Sequence, residues 1–185
     1  MLMISFFILI KGTVSLYQHN YHYLLCLFLT CSAVVILNFI TFKIFFKKVK
    51  FRWMTFLTYG LLATYLIFCL VPRKDNNFKT SEIKKEYTSL HPILRLGVGT
   101  LFLIDRKSIM TDGSRSKEDC EKMKINYTSD HAIKDDGYCY AIDISVRNRS
   151  WYRNILVECY FRLMGYYTLR HNQGFGDHFH IALKK

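Results

Sequence analysis

Apolar and polar positions follow two different regimes along this chain, and the change comes near residue 73. Residues 22–46 are almost wholly apolar, and residues 53–72, from Trp53 to Pro72, form a second apolar run without a charge. Each is about as long as the ~20 residues that cross a bilayer. Neither run shows a polar face, so two transmembrane helices are expected in preference to two buried core helices. Met1–Ile10 is apolar too, but it is short and Lys11 interrupts it; it reads as a marginal third span or an interfacial segment. A cleaved signal peptide is not expected, since no small-x-small site follows and further apolar spans come next. The pattern divides the chain into a membrane anchor over 1–72, a polar linker over 73–88 and a separate domain over 89–185.

Beyond the linker the periodicities shorten. Pro92 suits the first turn of a helix over roughly 92–105, against which Gly97 and Gly99 count. Ser108–Thr111 reads as a short strand closed by Asp112-Gly113. Ser116 followed by Asp119 predicts a helix to about Lys124. Over 139–146, Tyr140, Ile142, Ile144 and Val146 alternate with Cys139, Ala141, Asp143 and Ser145, which predicts a strand carrying Asp143 on the face opposite the large apolar side chains. Trp151, Ile155, Cys159 and Leu163 recur at steps of four, with Leu156 alongside, so 150–164 is an expected amphipathic helix with that stripe as its apolar face. Tyr166–Leu169 and Phe179–Leu183 are expected strands, with His178 and His180 on one face because they are two apart. The expected class is α+β: helices packed on a small mixed or antiparallel sheet, preceded by a helical transmembrane anchor.

Charge refines this division. Residues 1–80 hold nine Lys/Arg and one acid, Asp75, while 81–185 hold seventeen Lys/Arg and thirteen acids, so most of the net +12 belongs to the first part. No basic stripe interleaved with aromatics occurs in the second part, and nucleic acid is not an expected partner. The basic loop Lys47-Lys48-Val49-Lys50-Phe51-Arg52 is expected on the cytoplasmic side, which sends 73–185 outward. The flank Arg73, Lys74, Lys79, Lys84 and Lys85 is basic as well and reduces that asymmetry. Cys26, Cys31 and Cys69 read as small apolar residues of the spans. Cys120, Cys139 and Cys159 allow one disulfide in an extracytoplasmic domain. The absence of any C-x-x-C leaves a cysteine zinc site without support.

The candidate chemistry lies near the C-terminus. Gly176-Asp177-His178-Phe179-His180-Ile181-Ala182-Leu183 sets an Asp three positions before a His with a second His between, a compact zinc-peptidase signature. Upstream stand Ser129-Asp130-His131 and Ala141-Ile142-Asp143. His131, Asp143 and His180 are thus the candidate metal ligands, and three protein ligands leave a position for water, as catalysis requires. Expected strands would hold Asp143 and His180 rigidly, with His131 on a loop feeding the first of them. Asp177, three residues before His180, is the candidate general base. His178, sharing a face with His180, is a candidate donor to the transition state. A lone His-x-His on a strand is more often structural, and Arg115 near Asp112 and Asp119 can be a simple ion pair. His91 and His171 read as ordinary surface residues.

These residues resemble the D-alanyl-D-alanine carboxypeptidases and dipeptidases and the phage L-alanyl-D-glutamate endopeptidases, a family structurally allied to the Hedgehog signalling domain. Its pattern Ser-x-His-x-x-Gly-x-Ala-x-Asp, followed much later by Asp/Glu-x-x-His, is met here by Ser129-Asp130-His131, Gly137, Ala141 and Asp143, then Asp177-His178-Phe179-His180. Thr111-Asp112-Gly113-Ser114-Arg115-Ser116 matches the Gly-x-Arg-Ser piece that precedes them, and Leu90-His91-Pro92 the start of the family's first helix. The likeness covers about 90–183; the first 80 residues show none. The family sets its His and Asp closer than the twelve positions between His131 and Asp143. The inserted stretch around Lys134-Asp135-Asp136-Gly137 leaves Asp130, Asp135 and Asp136 open as alternative ligands.

What the resemblance implies is a Hedgehog-like metallopeptidase fold with Zn2+ held by His131, Asp143 and His180. It makes Asp177 the general base and later proton donor and His178 a stabiliser of the oxyanion. Arg115 would bind a substrate carboxylate through its planar fork, with Ser129 as a further substrate-binding residue. The implied activity is hydrolysis of peptidoglycan stem peptides, at the terminal D-Ala-D-Ala bond or the L-Ala to D-Glu bond, by a membrane-integral protein whose catalytic domain faces the periplasm or cell wall. Alternatives are a non-catalytic zinc-containing wall-binding module and a membrane-active structural protein.

Overall fold

A computed structural model describes residues 2–45, 51–72, 75–122, 124, 129–172 and 176–184. The chain divides into two compact units, Met1–Phe68 and Cys69–Lys184.

The first unit is helical: α1 (Leu2–Gln18), α2 (Tyr23–Phe45) and α3 (Phe51–Leu70), the last running into the second unit. Among the described residues α2 is the one helix long and apolar enough to cross a membrane, with mean hydropathy 2.4. The apolar stretch at 1–10 belongs to a longer element, since α1 continues through Lys11 to Gln18. It lies antiparallel to α2: Ser5 Oγ donates to Asn38 Oδ1 (2.7 Å), and Thr13 Oγ1 lies 2.7 Å from Thr30 Oγ1. Both pairs are buried, and small hydroxyl and amide side chains of this kind join apolar helices where aliphatic packing alone gives little preference. The basic loop 47–50 lies outside the described residues.

The second unit is α+β. Its sheet is antiparallel, in the order β1-β2-β4-β3, from β1 (Met110–Asp112), β2 (Ala141–Ser145), β3 (Tyr167–His171) and β4 (His178–Ala182). Its helices are α4 (Ser81–Glu86), α5 (Pro92–Ile104), α6 (Lys117–Lys122) and α7 (Trp151–Met164). The stretch expected as a linker is part of this unit. Phe78, Ile83 and Tyr87 are buried, and Tyr87 Oη donates to the carbonyl of Cys69. Those three large side chains, spaced among the charges, outweigh the polar average of 73–88.

Most of α5 is buried, from Pro92 to Phe102 apart from Arg95. Gly97, unfavourable for the helix by propensity, is demanded by packing, because a Cβ there would meet the Tyr166 hydroxyl at 2.6 Å. His91, expected at the surface, is instead buried (1% exposed) as the N-cap, its Nδ1 accepting from the Ile93 amide at 3.4 Å and its ring stacked on Tyr140. The helix at 150–164 forms as expected but buries the other side. Asn154, Val157, Phe161 and Met164 face the core, while Trp151 (74% exposed), Ile155, Leu156 and Leu163 face outward. Both faces are apolar, so periodicity located the helix without identifying its core side. All six cysteines are free thiols, and the disulfide that the sequence allowed is not formed.

Between α5 and β1, the Asp105 carboxylate binds Arg149 and Arg153, the Ser108 hydroxyl and the Lys107 amide. Burial opposes its charge, but the two guanidinium groups and the hydrogen bonds hold its pKa below the ordinary carboxylate range. The depressed value means that this clamp contributes fully above the unfolded-state carboxylate pKa and is lost as pH falls from there through the lower folded-state value. Asp105→Asn should lower stability by about 2–4 kcal/mol, because the Arg149 side chain, 5% exposed, loses its partner. Denaturant titrations should show that the loss shrinks towards pH 3; an equal loss at all pH values would contradict the clamp.

Candidate metal centre

Strand alternation builds the site. Antiparallel pairing sets Asp143 on β2 directly opposite His180 on β4, and Ser145 opposite His178. One sheet face therefore carries Asp143, His178 and His180, joined across β3 by His171, which pairs with His178. The opposite face carries Ile142, Ile144, Phe179 and Ile181, all buried. The same period of two thus supplies an apolar core layer and a polar layer behind it.

His131 reaches this polar layer from a loop. Its backbone N–H bonds Ser129 Oγ (3.3 Å), and its carbonyl accepts from the Arg115 amide (2.8 Å). The side chain is buried, with Nδ1 2.7 Å from the carbonyl of Gly113. That acceptor holds a ring proton on Nδ1 and leaves Nε2 facing inward as the atom that can ligate. Gly113 is itself pinned, since a Cβ there would meet Met110 Cε at 2.5 Å and Glu86 Oε2 at 3.0 Å. His180 is oriented in the complementary sense: Nε2 lies 3.7 Å from Asp130 Oδ2, and Nδ1 faces inward.

Three donor atoms converge as a result. His131 Nε2 and His180 Nδ1 are 3.1 Å apart, and Asp143 Oδ1 is 3.3 Å from the first and 3.1 Å from the second. Tetrahedral ligands ~2.0–2.2 Å from an ion stand about 3.3–3.6 Å apart, so slight relaxation would seat one. The donor set, two imidazoles and a carboxylate with their outer atoms already engaged, fits a borderline divalent cation. His131, Asp143 and His180 can therefore hold a metal ion, and they are the one such group of three among the described residues.

The electrostatics agree. Burial opposes ionisation of Asp143, but hydrogen bonds from His131 and His180 and the charge of His131 and His178 hold its carboxyl far below the ordinary range. Burial likewise opposes charge on His131, and the Asp143 carboxylate overrides it, raising the imidazole pKa. A cation bound here would take the place of the imidazolium proton against the Asp143 carboxylate.

The remaining expected residues divide. His178 stands at the rim, Nε2 3.5 Å from Asp143 Oδ2 and its ring stacked on His171 at 5.0 Å. Arg115 is ion-paired to Asp112, and its Nε is buried without a hydrogen-bond partner. Ser129 caps the His131 loop, its carbonyl also receiving the Lys134 ammonium at 3.0 Å. Asp177 is not in the cluster. It holds Arg170 in a two-point ion pair, with Arg170 Nε 2.9 Å from its Oδ1, and that bond, outweighing its slight burial, lowers its pKa. The cause is geometric: Arg170 pairs with Phe179 on the face away from the histidines, and a residue an odd number of steps from His180 along an extended chain turns to that same face.

The insertion between His131 and Asp143 closes on itself. Lys134 and Tyr138 pair backbone to backbone, N to O 2.9 Å, around a turn with Gly137 at φ 80°. Asp136 bonds the Tyr138 amide and the Tyr140 hydroxyl, and Asp135 is exposed. Of the alternative ligands only Asp130 approaches the cluster, from behind His180. Cys139 is not in the cluster: burial pushes its thiol up to about 12, and its Sγ lies against the carbonyls of Gly113, Asp130 and Ala141. The contributions of Gly113 and Asp130 escaped the sequence reading because backbone carbonyls and outer-nitrogen partners leave no spacing signal of their own. Asp130→Asn should weaken metal binding about tenfold, as loss of an outer partner typically does; competition with a chromogenic chelator measures it, and unchanged affinity would remove Asp130 from the site.

No protein-family model, curated protein or solved structure matches this chain.

Proposed function

We propose that this chain is a membrane-anchored zinc metallopeptidase that hydrolyses peptidoglycan stem peptides, of the D-Ala-D-Ala carboxypeptidase or L-Ala-D-Glu endopeptidase type, on a Hedgehog-like fold. The observation that carries this reading is the meeting of His131, Asp143 and His180 at 3.1–3.3 Å from three separate stretches of chain. The order of the Ser129-Asp130-His131, Ala141–Asp143 and His178–His180 pieces, with Arg115 upstream, supports the family assignment. The apolar helix α2 supports membrane attachment, and a wall substrate implies that the second unit faces outward.

Bound zinc supplies Lewis acidity, polarising the scissile carbonyl and acidifying a water. The Gly113 carbonyl fixes the His131 tautomer, Asp130 lies 3.7 Å behind His180, and Asp143 contributes the anionic charge. His178, at the solvent side of Asp143, donates a hydrogen bond to the developing oxyanion. Arg115 would receive a substrate carboxylate in exchange for Asp112, with which it is paired. Asp177, the base that the resemblance implies, would have to leave Arg170 and turn to the histidine face to take the proton of the attacking water and return it to the leaving amine.

The Asp177–Arg170 pair favours a second reading, a zinc-containing wall-binding module without turnover. Mass spectrometry of muropeptides incubated with the purified full chain decides. The peptidase reading expects new fragment ends, reduced about 10²–10⁴-fold by Asp177→Asn. If both proteins bind zinc and wall yet release nothing, the binding module stands and the peptidase falls.

A further inference from the structure

The outward face of α7 is a large apolar surface that the metal centre does not use. Trp151, Tyr152, Ile155, Leu156 and Leu163 are 74, 55, 46, 64 and 61% exposed. On a helix they span one arc, with Val157, Phe161 and Met164 on the buried arc opposite. The patch continues onto the end of α5, where Leu103 and Ile104 are 41 and 57% exposed. Leu101, Ile104, Tyr152, Leu156 and Tyr160 line an open apolar cleft between the two helices. Contiguous apolar area of this kind on a folded unit marks an interaction surface.

We propose that this face lies in the headgroup region of an anionic lipid bilayer, so that the second unit rests on the membrane by α7 and the end of α5. Three observations select lipid as the occupant. The patch has interfacial chemistry: a Trp and a Tyr at the start of the helix, followed by aliphatic residues that can enter the acyl boundary. Its border is cationic. The segments 103–107 and 147–163 carry Arg106, Lys107, Arg147, Arg149, Arg153 and Arg162 against Asp105 and Glu158, and Arg106, Lys107 and Arg147 are exposed. Such a border matches anionic headgroups. Finally, the second unit begins at Cys69, inside the apolar helix Phe51–Leu70, so no flexible linker separates it from the segment read as a span. This inference rests on the membrane reading of the first unit and is independent of metal binding.

Trp53 and Trp151 are the two tryptophans of the chain, which makes a direct test possible. The full chain carrying Trp53→Phe is placed in anionic nanodiscs, whose two surfaces are both open to iodide. Trp151 fluorescence is then read with acyl-brominated lipid and, separately, with iodide. The expected result is loss of about half or more of the emission to brominated lipid and at least about threefold weaker iodide quenching than free tryptophan shows. In the Ile155→Glu/Leu156→Glu variant both effects should reverse while metal content stays unchanged, since both side chains are exposed. Trp151 open to iodide and untouched by bromine would overturn the proposal. So would Trp151 shielded from iodide without lipid quenching, which would assign the face to a second copy of the chain. The Trp151→Phe protein keeps Trp53 as a reporter of the anchor: failure of the chain to enter nanodiscs defeats the membrane reading and this inference together, whereas lipid quenching of Trp53 alone defeats only this inference.

Discussion

His180→Ala should leave the purified protein without zinc after dialysis, with affinity reduced about 10²–10³-fold or more. A closed zinc site is worth roughly 10–16 kcal/mol, so one ligand carries about 3–4 kcal/mol. The two remaining donors, His131 Nε2 and Asp143 Oδ1, stand 3.3 Å apart and would face an extra water in place of imidazole. The fold should persist, because the His180 side chain lies on the polar layer of the sheet, 15% exposed, with the Phe179 and Ile181 core layer untouched. Metal analysis beside circular dichroism separates these effects. His171→Ala is the control: its ring stacks on His178 yet lies 6.1 Å from the His180 ring, and metal content should be unchanged. Stoichiometric zinc in the His180→Ala protein would place the ion elsewhere and remove the basis of the peptidase reading.

The largest expected effect on stability is at Phe161. Phe161→Ala should cost about 3–5 kcal/mol, the range for deleting a fully buried aromatic ring. Phe161 is 0% exposed, meeting Tyr166 edge-on at 5.5 Å and Tyr160 at 4.9 Å. Tyr166 in turn donates to the Ile93 carbonyl at 2.7 Å, so a cavity here loosens the contact of α5 with the chain after α7. Leu156→Ala, one to two turns away on the same helix, should cost under about 0.5 kcal/mol because Leu156 is 64% exposed. Denaturant unfolding in detergent tests the pair. Equal costs would mean that the stripe Trp151, Ile155, Leu156, Leu163 is the buried one, and would invert the assignment of α7.

That inversion shows where a one-dimensional pattern stops. The helix at 150–164 is legible because its apolar residues recur at helical spacing. Its core side is not, because Val157-Phe161-Met164 and Trp151-Ile155-Leu163 are both apolar stripes. Choosing between them depends on what covers each, which is a property of α5 and β3. His91 escaped for a related reason: its burial comes from the Tyr138 and Tyr140 rings that arrive from distant sequence. The 73–88 segment was misread because averaging its charges hid Phe78, Ile83 and Tyr87.

By itself the sequence determined the division into an apolar helical part and an α+β part, the strand carrying Asp143, and the common face of His178 and His180. Each of these is a local periodicity, carried by neighbours along the chain. It also named the three residues that could share an ion, through their order and type. Only the tertiary structure decided that they meet, because antiparallel register sets Asp143 against His180 while the loop at His131 closes from a third direction. It likewise decided that Asp177 turns to Arg170 and that Asp136 is spent within its own turn. Which side a residue faces, and what waits there, is settled by the pairing of segments far apart in the chain, and no spacing along one segment encodes it.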